Sequence, residues 1–128
     1  MNLTGKKILI AEDEPDLREL LVEIFADCGA EVLGAENGTV AFALVKQNSF
    51  DAIITDVRMP GGGGVELIKN INSHYTNQVR PPVFICSAFN DLTPEDLVNM
   101  KVIEGFAKPF KRKAMIETVA RALGLISE

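Results

Sequence analysis

The chain has no tryptophan, one tyrosine and one histidine among its 128 residues. A lone histidine, His74, cannot build a multi-histidine metal site and reads as a solvated loop residue. Cysteine is equally scarce, with only Cys28 and Cys86. The N-terminus, Met1-Asn2-Leu3-Thr4-Gly5-Lys6-Lys7, lacks the long apolar stretch of a signal peptide. A cytoplasmic protein with two buried free thiols is therefore expected, rather than a secreted one with a disulfide. No run approaches the ~20 apolar residues of a membrane span. Basic residues are outnumbered: 13 Lys and Arg against 18 Asp and Glu leave a net charge of -5, which argues against a nucleic-acid-binding surface. Repeats, low-complexity segments and linkers are also missing, so residues 1–128 read as one domain able to bury roughly two-thirds of its unfolded surface.

Short apolar runs alternating with helical patterns fill that single domain. Ile8-Leu9-Ile10, inside Lys7 to Ala11, predicts a strand buried on both faces. Pro15 suits the first position of a helix, and Leu17, Leu20, Leu21, Ile24, Phe25 and Cys28 continue it to Gly29. Glu31 to Ala35 predicts a second strand, and Gly38 to Asn48 a helix with Val40, Ala43 and Leu44 inward. Ala52-Ile53-Ile54 predicts a central strand that stops at Asp56. Four consecutive glycines, Gly61 to Gly64, follow it and predict a mobile loop. A third helix spans Val65 to Ser73 with Val65, Ile68 and Ile71 inward, and His74 to Pro82 is a loop. Val83 to Cys86 gives a fourth strand ending at Ser87. Thr93-Pro94-Glu95-Asp96 predicts a capped start to a helix of about two to three turns, with Leu92 and Leu97 as a hydrophobic staple. Gly105 to Ala107 is a weak fifth strand leading to Lys108, and Ala114, Met115, Val119, Ala122 and Leu123 mark a last helix ended by Gly124.

Five strands alternating with five helices imply an α/β fold with a parallel sheet and right-handed crossovers. The doubly wound order 2-1-3-4-5 would gather Glu12, Asp13, Asp56, Ser87 and Lys108 at the carboxyl edge of the strands, where ligands collect in such sheets. Packed carboxylates repel and call for a cation; hard oxygen donors favour Mg²⁺. With a phosphoryl group as substrate, Asp56 would serve as nucleophile and form an acyl phosphate, Lys108 would pair with one phosphoryl oxygen, and Ser87 would hydrogen-bond another.

Four stretches carry a resemblance. Ile8-Leu9-Ile10-Ala11-Glu12-Asp13-Glu14-Pro15, Ile54-Thr55-Asp56-Val57-Arg58-Met59-Pro60 with Gly64 and Glu66-Leu67-Ile68, Ile85-Cys86-Ser87-Ala88, and Lys108-Pro109-Phe110 together resemble the receiver domain of bacterial two-component response regulators, from about Lys6 to Leu123. The resemblance implies a flavodoxin-like (βα)₅ receiver fold and phosphotransfer to Asp56 from a sensor histidine kinase or phosphotransfer protein. It also implies Mg²⁺ on Glu12, Asp13, Asp56 and the backbone carbonyl of Arg58, with Ser87 as switch hydroxyl and Lys108 as the phosphoryl-pairing lysine. A downstream protein target would then read the fourth helix, fifth strand and fifth helix, and a phosphorylation-dependent dimer is allowed. Arg58 and Phe89 stand where this family tunes dephosphorylation, and both are bulky, which implies a long-lived phosphorylated state. Receivers usually carry an aromatic residue three positions before the lysine; here that position is Gly105, with Phe106 next to it.

Blander roles exist for each residue taken singly. Acids before a helix are often caps, Asp56 could be a turn former, Ser87 could satisfy a loop amide, and Lys108 could be a surface charge. Capping does not explain a matching lysine some fifty residues beyond Asp56. Three other functions remain open on the sequence. A metal-dependent phosphohydrolase would want a carboxylate where Arg58 stands, and a flavin mononucleotide module would meet repulsion from Glu12-Asp13-Glu14. A fixed scaffold would have no use for the four-part site. Because the chain stops a few residues past its last helix, it is expected to be either a single-domain regulator or a receiver excised from a longer protein.

Overall fold

Strands made of unbroken isoleucine, leucine and valine have no face to give to water, so they must lie inside a sheet covered on both sides. The computed structural model describes residues 2–76, 78–87 and 93–126 and shows this arrangement. Its elements run β1 (Lys7–Ala11), α1 (Pro15–Ala26), β2 (Glu31–Ala35), α2 (Gly38–Gln47), β3 (Ala52–Thr55), α3 (Gly64–His74), β4 (Val83–Ser87), α4 (Pro94–Asn99), β5 (Glu104–Ala107) and α5 (Arg112–Ala122). The strands form one sheet in the order β2-β1-β3-β4-β5, with every neighbouring pair parallel. The expected order 2-1-3-4-5 is the observed one.

Strand periodicity divides the interior into two cores. Ile8, Ile10, Ala52, Ile54, Phe84 and Cys86 face one side and pack with Leu21, Ile24 and Phe25 of α1 and Met115, Ile116 and Val119 of α5. Leu9, Ala11, Ile53, Val83 and Ile85 face the other, against Ala41 and Val45 of α2 and Leu67, Ile68 and Ile71 of α3. Each fully buried isoleucine or leucine contributes roughly 1.5–3 kcal/mol. Cys86 lies in the core as a free thiol whose pKa burial raises to about 11, while Cys28 is also free but only half-buried.

Several local expectations are corrected. Val40 is exposed and Ala43 and Leu44 are half-buried; the buried residues of α2 are Gly38, Ala41 and Val45. The reason is close approach, since small residues let the helix settle on its neighbours and turn Val40 outward. Leu20 of α1 is 44% exposed, and the helix ends at Ala26, before Cys28. Its chain then turns through Gly29 at φ +96°. In α3, Gly64, Leu67, Ile68 and Ile71 are buried while Val65 is half-buried. α4 has six residues, under two turns, although its capping box is present: the Asp96 amide donates to Thr93 Oγ1 (3.1 Å) and the Thr93 amide to Asp96 Oδ2 (2.8 Å). The expected staple partner Leu92 and the bulky Phe89 lie outside the described residues.

Candidate functional site

The sheet ladder fixes the backbone of the site. Beyond β1 the Glu12 amide donates to Ala35 O (2.9 Å), beyond β3 the Asp56 amide donates to Ala11 O (2.9 Å), and beyond β5 the Lys108 amide donates to Ser87 O (2.9 Å). Glu12, Asp56, Ser87 and Lys108 thus stand at the carboxyl ends of β1, β3, β4 and β5, along one edge. Glu12, Asp56 and Ser87 are buried, at 1%, 8% and 7% exposure.

Three carboxylates converge there. Glu12, Asp13 and Asp56 each present an oxygen within 4.8 Å of the others. Lys108 Nζ donates to Glu12 Oε1 at 2.8 Å and to Asp56 Oδ2 at 3.3 Å. The other Asp56 oxygen, Oδ1, accepts the Val57 amide (2.7 Å), and Glu12 Oε2 accepts the Glu14 amide (3.2 Å). Burial lifts the Glu12 carboxyl to about 7, reinforced by Asp13 and Asp56 and opposed by Lys108 and the Glu14 amide. Burial pulls the Lys108 ammonium down, but its bond to Glu12 and the charges of Glu12 and Asp56 outweigh that, so its pKa is raised. One ammonium does not balance three acids. The all-oxygen donor set, crowded and part-buried, fits a hard divalent cation such as Mg²⁺.

The glycine loop makes hydrogen bonds to the start of α2 and to the segment after Asp56. Thr39 Oγ1 donates to Gly61 O (2.9 Å), the Gly38 amide to Gly62 O (2.7 Å), and the Gly64 amide to Val57 O (2.8 Å). A Cβ on Gly64 would overlap the Asp56 carbonyl oxygen, and Gly62 sits at φ +129°. These glycines let α3 begin directly behind Asp56. Arg58, two residues past Asp56 on this loop, is exposed.

Phe106 does not face α4. Its ring stacks on Phe84 at 6.1 Å and 24°, in the core beneath α1 and α5. Gly105 is the residue turned towards α4, where a Cβ would meet Leu97 at 3.6 Å. Sequence reasoning missed Arg18, whose Nη1 donates to Glu12 O (2.8 Å) and whose stem lies across Gly34 of β2. The only signal for it was the side-chain-free position at Gly34, meaningless until the strands are paired.

Residues 8–120 match the family model of the response regulator receiver domain. The chain belongs to this family. Sporulation initiation phosphotransferase F of Bacillus subtilis is 30% identical over 126 residues, covering 98% of this chain and 99% of the relative. The regulatory protein AtoC of Escherichia coli is 33% identical over 122 residues, covering 94% of this chain and 26% of AtoC. The chain spans about a quarter of the length of most of the curated relatives it matches. Among solved structures, the response regulator TrrA of Thermotoga maritima, in complex with Mg²⁺ and BeF, has a TM-score of 0.80 at 30% identity, covering 91% of this chain and 98% of TrrA. The chemotaxis response regulator CheY4 of Vibrio cholerae has a TM-score of 0.79 at 27% identity, covering 93% and 99%. Receiver domains are signalling domains of two-component systems, not conventional enzymes. Among the described residues, no helix of this receiver is long and apolar enough to cross a membrane.

Proposed function

We propose that residues 1–128 act as a single phospho-accepting receiver in the cytoplasm, with Asp56 as the acceptor and a sensor histidine kinase or phosphotransfer protein as the donor. The observation that carries this reading is the convergence of Glu12, Asp13, Asp56 and Lys108, from three separate segments of chain, on one edge of the sheet. A carboxylate oxygen of Asp56 attacks the phosphorus of a phosphohistidine; the new P–O bond forms as the P–N bond breaks, and the imidazole leaves. Glu12, Asp13, Asp56 and the carbonyl of Arg58 would hold Mg²⁺, which when bound supplies positive charge to offset that of the transferring group. Lys108, already held between Glu12 and Asp56, shifts to a phosphoryl oxygen, exchanging one charge-assisted bond for another. Ser87 donates to a further phosphoryl oxygen and is drawn inward, biasing a two-state surface on α4, β5 and α5 that a downstream protein reads. The exposed Arg58 screens the acyl phosphate from water and lengthens its life.

Incubation with Mg²⁺ and acetyl phosphate, followed by intact mass, tests the acceptor. One base-labile phosphoryl group should appear and be lost in Asp56→Asn. An adduct retained in that variant would place the chemistry elsewhere.

A further inference from the structure

A second organised polar group lies at the opposite edge of the sheet from the acids. α4 buries none of its six residues, and Leu97 and Met100 are only half-buried against the core. Its first turn is closed by its own capping box. Helix geometry leaves its last carbonyls without partners inside the helix. The Val102 and Lys101 amides close on Leu97 O and Val98 O, and the carbonyls just past the helix, of Met100 and Lys101, are taken by Arg80, in the loop before β4. Its Nη1 donates to Met100 O (3.3 Å) and to Asn72 Oδ1 of α3 (2.6 Å), and its Nη2 donates to Lys101 O. Asn72 Nδ2 donates in turn to Met100 O (3.3 Å). A cation at this end also suits the helix macrodipole, and a planar guanidinium can span acceptors that a lysine could not reach together. The chain leaves this clasp through Val102 and Ile103, whose amide donates to Val83 O (2.8 Å) at the start of β4.

We infer that Arg80 is a positioning residue of the switch: it pins the C-terminal end of α4 to α3 in the unphosphorylated form, and because the switched form must give this clasp up as α4 shifts, that form is held at low population. The exposed Val98 and Ile103, at 73% and 55%, flank the pinned end. The effect on population rests on the phosphoacceptor reading above; the clasp itself does not.

The test is amide hydrogen exchange on the intact chain for wild type, Arg80→Met and Arg80→Lys, with titration of Mg²⁺ and beryllofluoride as phosphoryl mimic. In Arg80→Met, amides from Leu97 to Ile103 should exchange about tenfold faster while those of β1 and β3 stay unchanged. Arg80→Lys should recover part of the protection, and beryllofluoride should bind Arg80→Met about threefold to tenfold more tightly than wild type. Unchanged exchange at 97–103 overturns the clasp. Faster exchange with unchanged beryllofluoride affinity overturns its hold on the switch. Should Arg80→Met loosen β1 and β3 as well, Asn72→Ala replaces it, with a smaller rise expected at the same amides and none in the central strands. Failure of wild type to bind beryllofluoride would instead sink the phosphoacceptor reading, while the exchange result decides the clasp.

Discussion

The acid edge of β1 and β3 and the outer edge formed by α4 and β5 belong to one sheet but are built on different terms. β1 buries four of its five residues and β3 all four, with helices on both faces. β5 buries none of its four, and α4 none of its six. The clustered carboxylates are thus held by tight packing, whereas α4 and β5 are held by one strand pairing, a few half-buried side chains and the Arg80 clasp. Rigidity suits groups that must sit within hydrogen-bond reach of one another. Weak attachment suits a surface that must exist in two forms, since mobile elements are drawn from the low-stability parts of a fold.

Substitutions at the two edges should separate these regimes. The largest effect is expected for Ile54→Ala, which opens a cavity beneath α1 and α5 and should cost about 2–5 kcal/mol, read as a lower urea midpoint. Leu97→Ala, on the outer edge, should cost clearly less; equal losses would erase the distinction. Next comes Gly64→Ala, whose methyl group has nowhere to go but against the Asp56 carbonyl. A loss of about 1–3 kcal/mol is expected, with weaker Mg²⁺ binding in calorimetry, because the backbone behind Asp56 must shift.

Proton linkage sharpens the contrast from the acid side. The Glu12 carboxyl rises from its ordinary 4.5 to about 7 on folding, so between these values the folded chain binds more protons than the unfolded one. Its stabilising contribution is present in full below pH 4.5 and is lost as pH rises through 7. Without Mg²⁺, stability should therefore fall across this window, and Glu12→Gln should flatten the fall. Mg²⁺ affinity should run the other way, rising by up to about tenfold per pH unit below 7, because the ion competes with that proton. The smallest effect belongs to Gly105→Ala on β5. Its Cβ would make ordinary contact with Leu97 and relieve a strand glycine, giving a gain of about 0.5 kcal/mol in thermal unfolding.

Much of this was legible from residue order. Unbroken apolar runs located the strands, and acids or a lysine just past their ends located the site, because both signals are local. The face of α2 was not legible: Val40 is the more apolar residue, but Gly38 and Ala41 are the ones small enough for the helix to approach the sheet and the Gly62 carbonyl. The same limit applies to the glycine loop. Four glycines in sequence announce no partners, and only the folded chain shows the bonds that Gly38 and Thr39 make with them. Arg18, and Arg80 apart from its bond to Asn72, act on backbone carbonyls, which every residue has, so those contacts are not announced by their neighbours' identities. The aromatic expectation turned on one residue of register: Phe106 and Gly105 point to opposite faces of β5, and a shift by one exchanges core for surface.

The bond from Lys108 to Glu12 joins residues 96 positions apart. All of the chain up to Lys108 must therefore be synthesised before the acids acquire their counter-charge. A nascent chain that has completed β1 and β3 already holds Glu12, Asp13 and Asp56, but it holds them as a repelling cluster. Closing that contact is among the last gains available to the folding chain, since long-range pairings return their free energy only after the intervening loop is ordered. Charge balance in the acid cluster and the pairing of β5 thus arrive together.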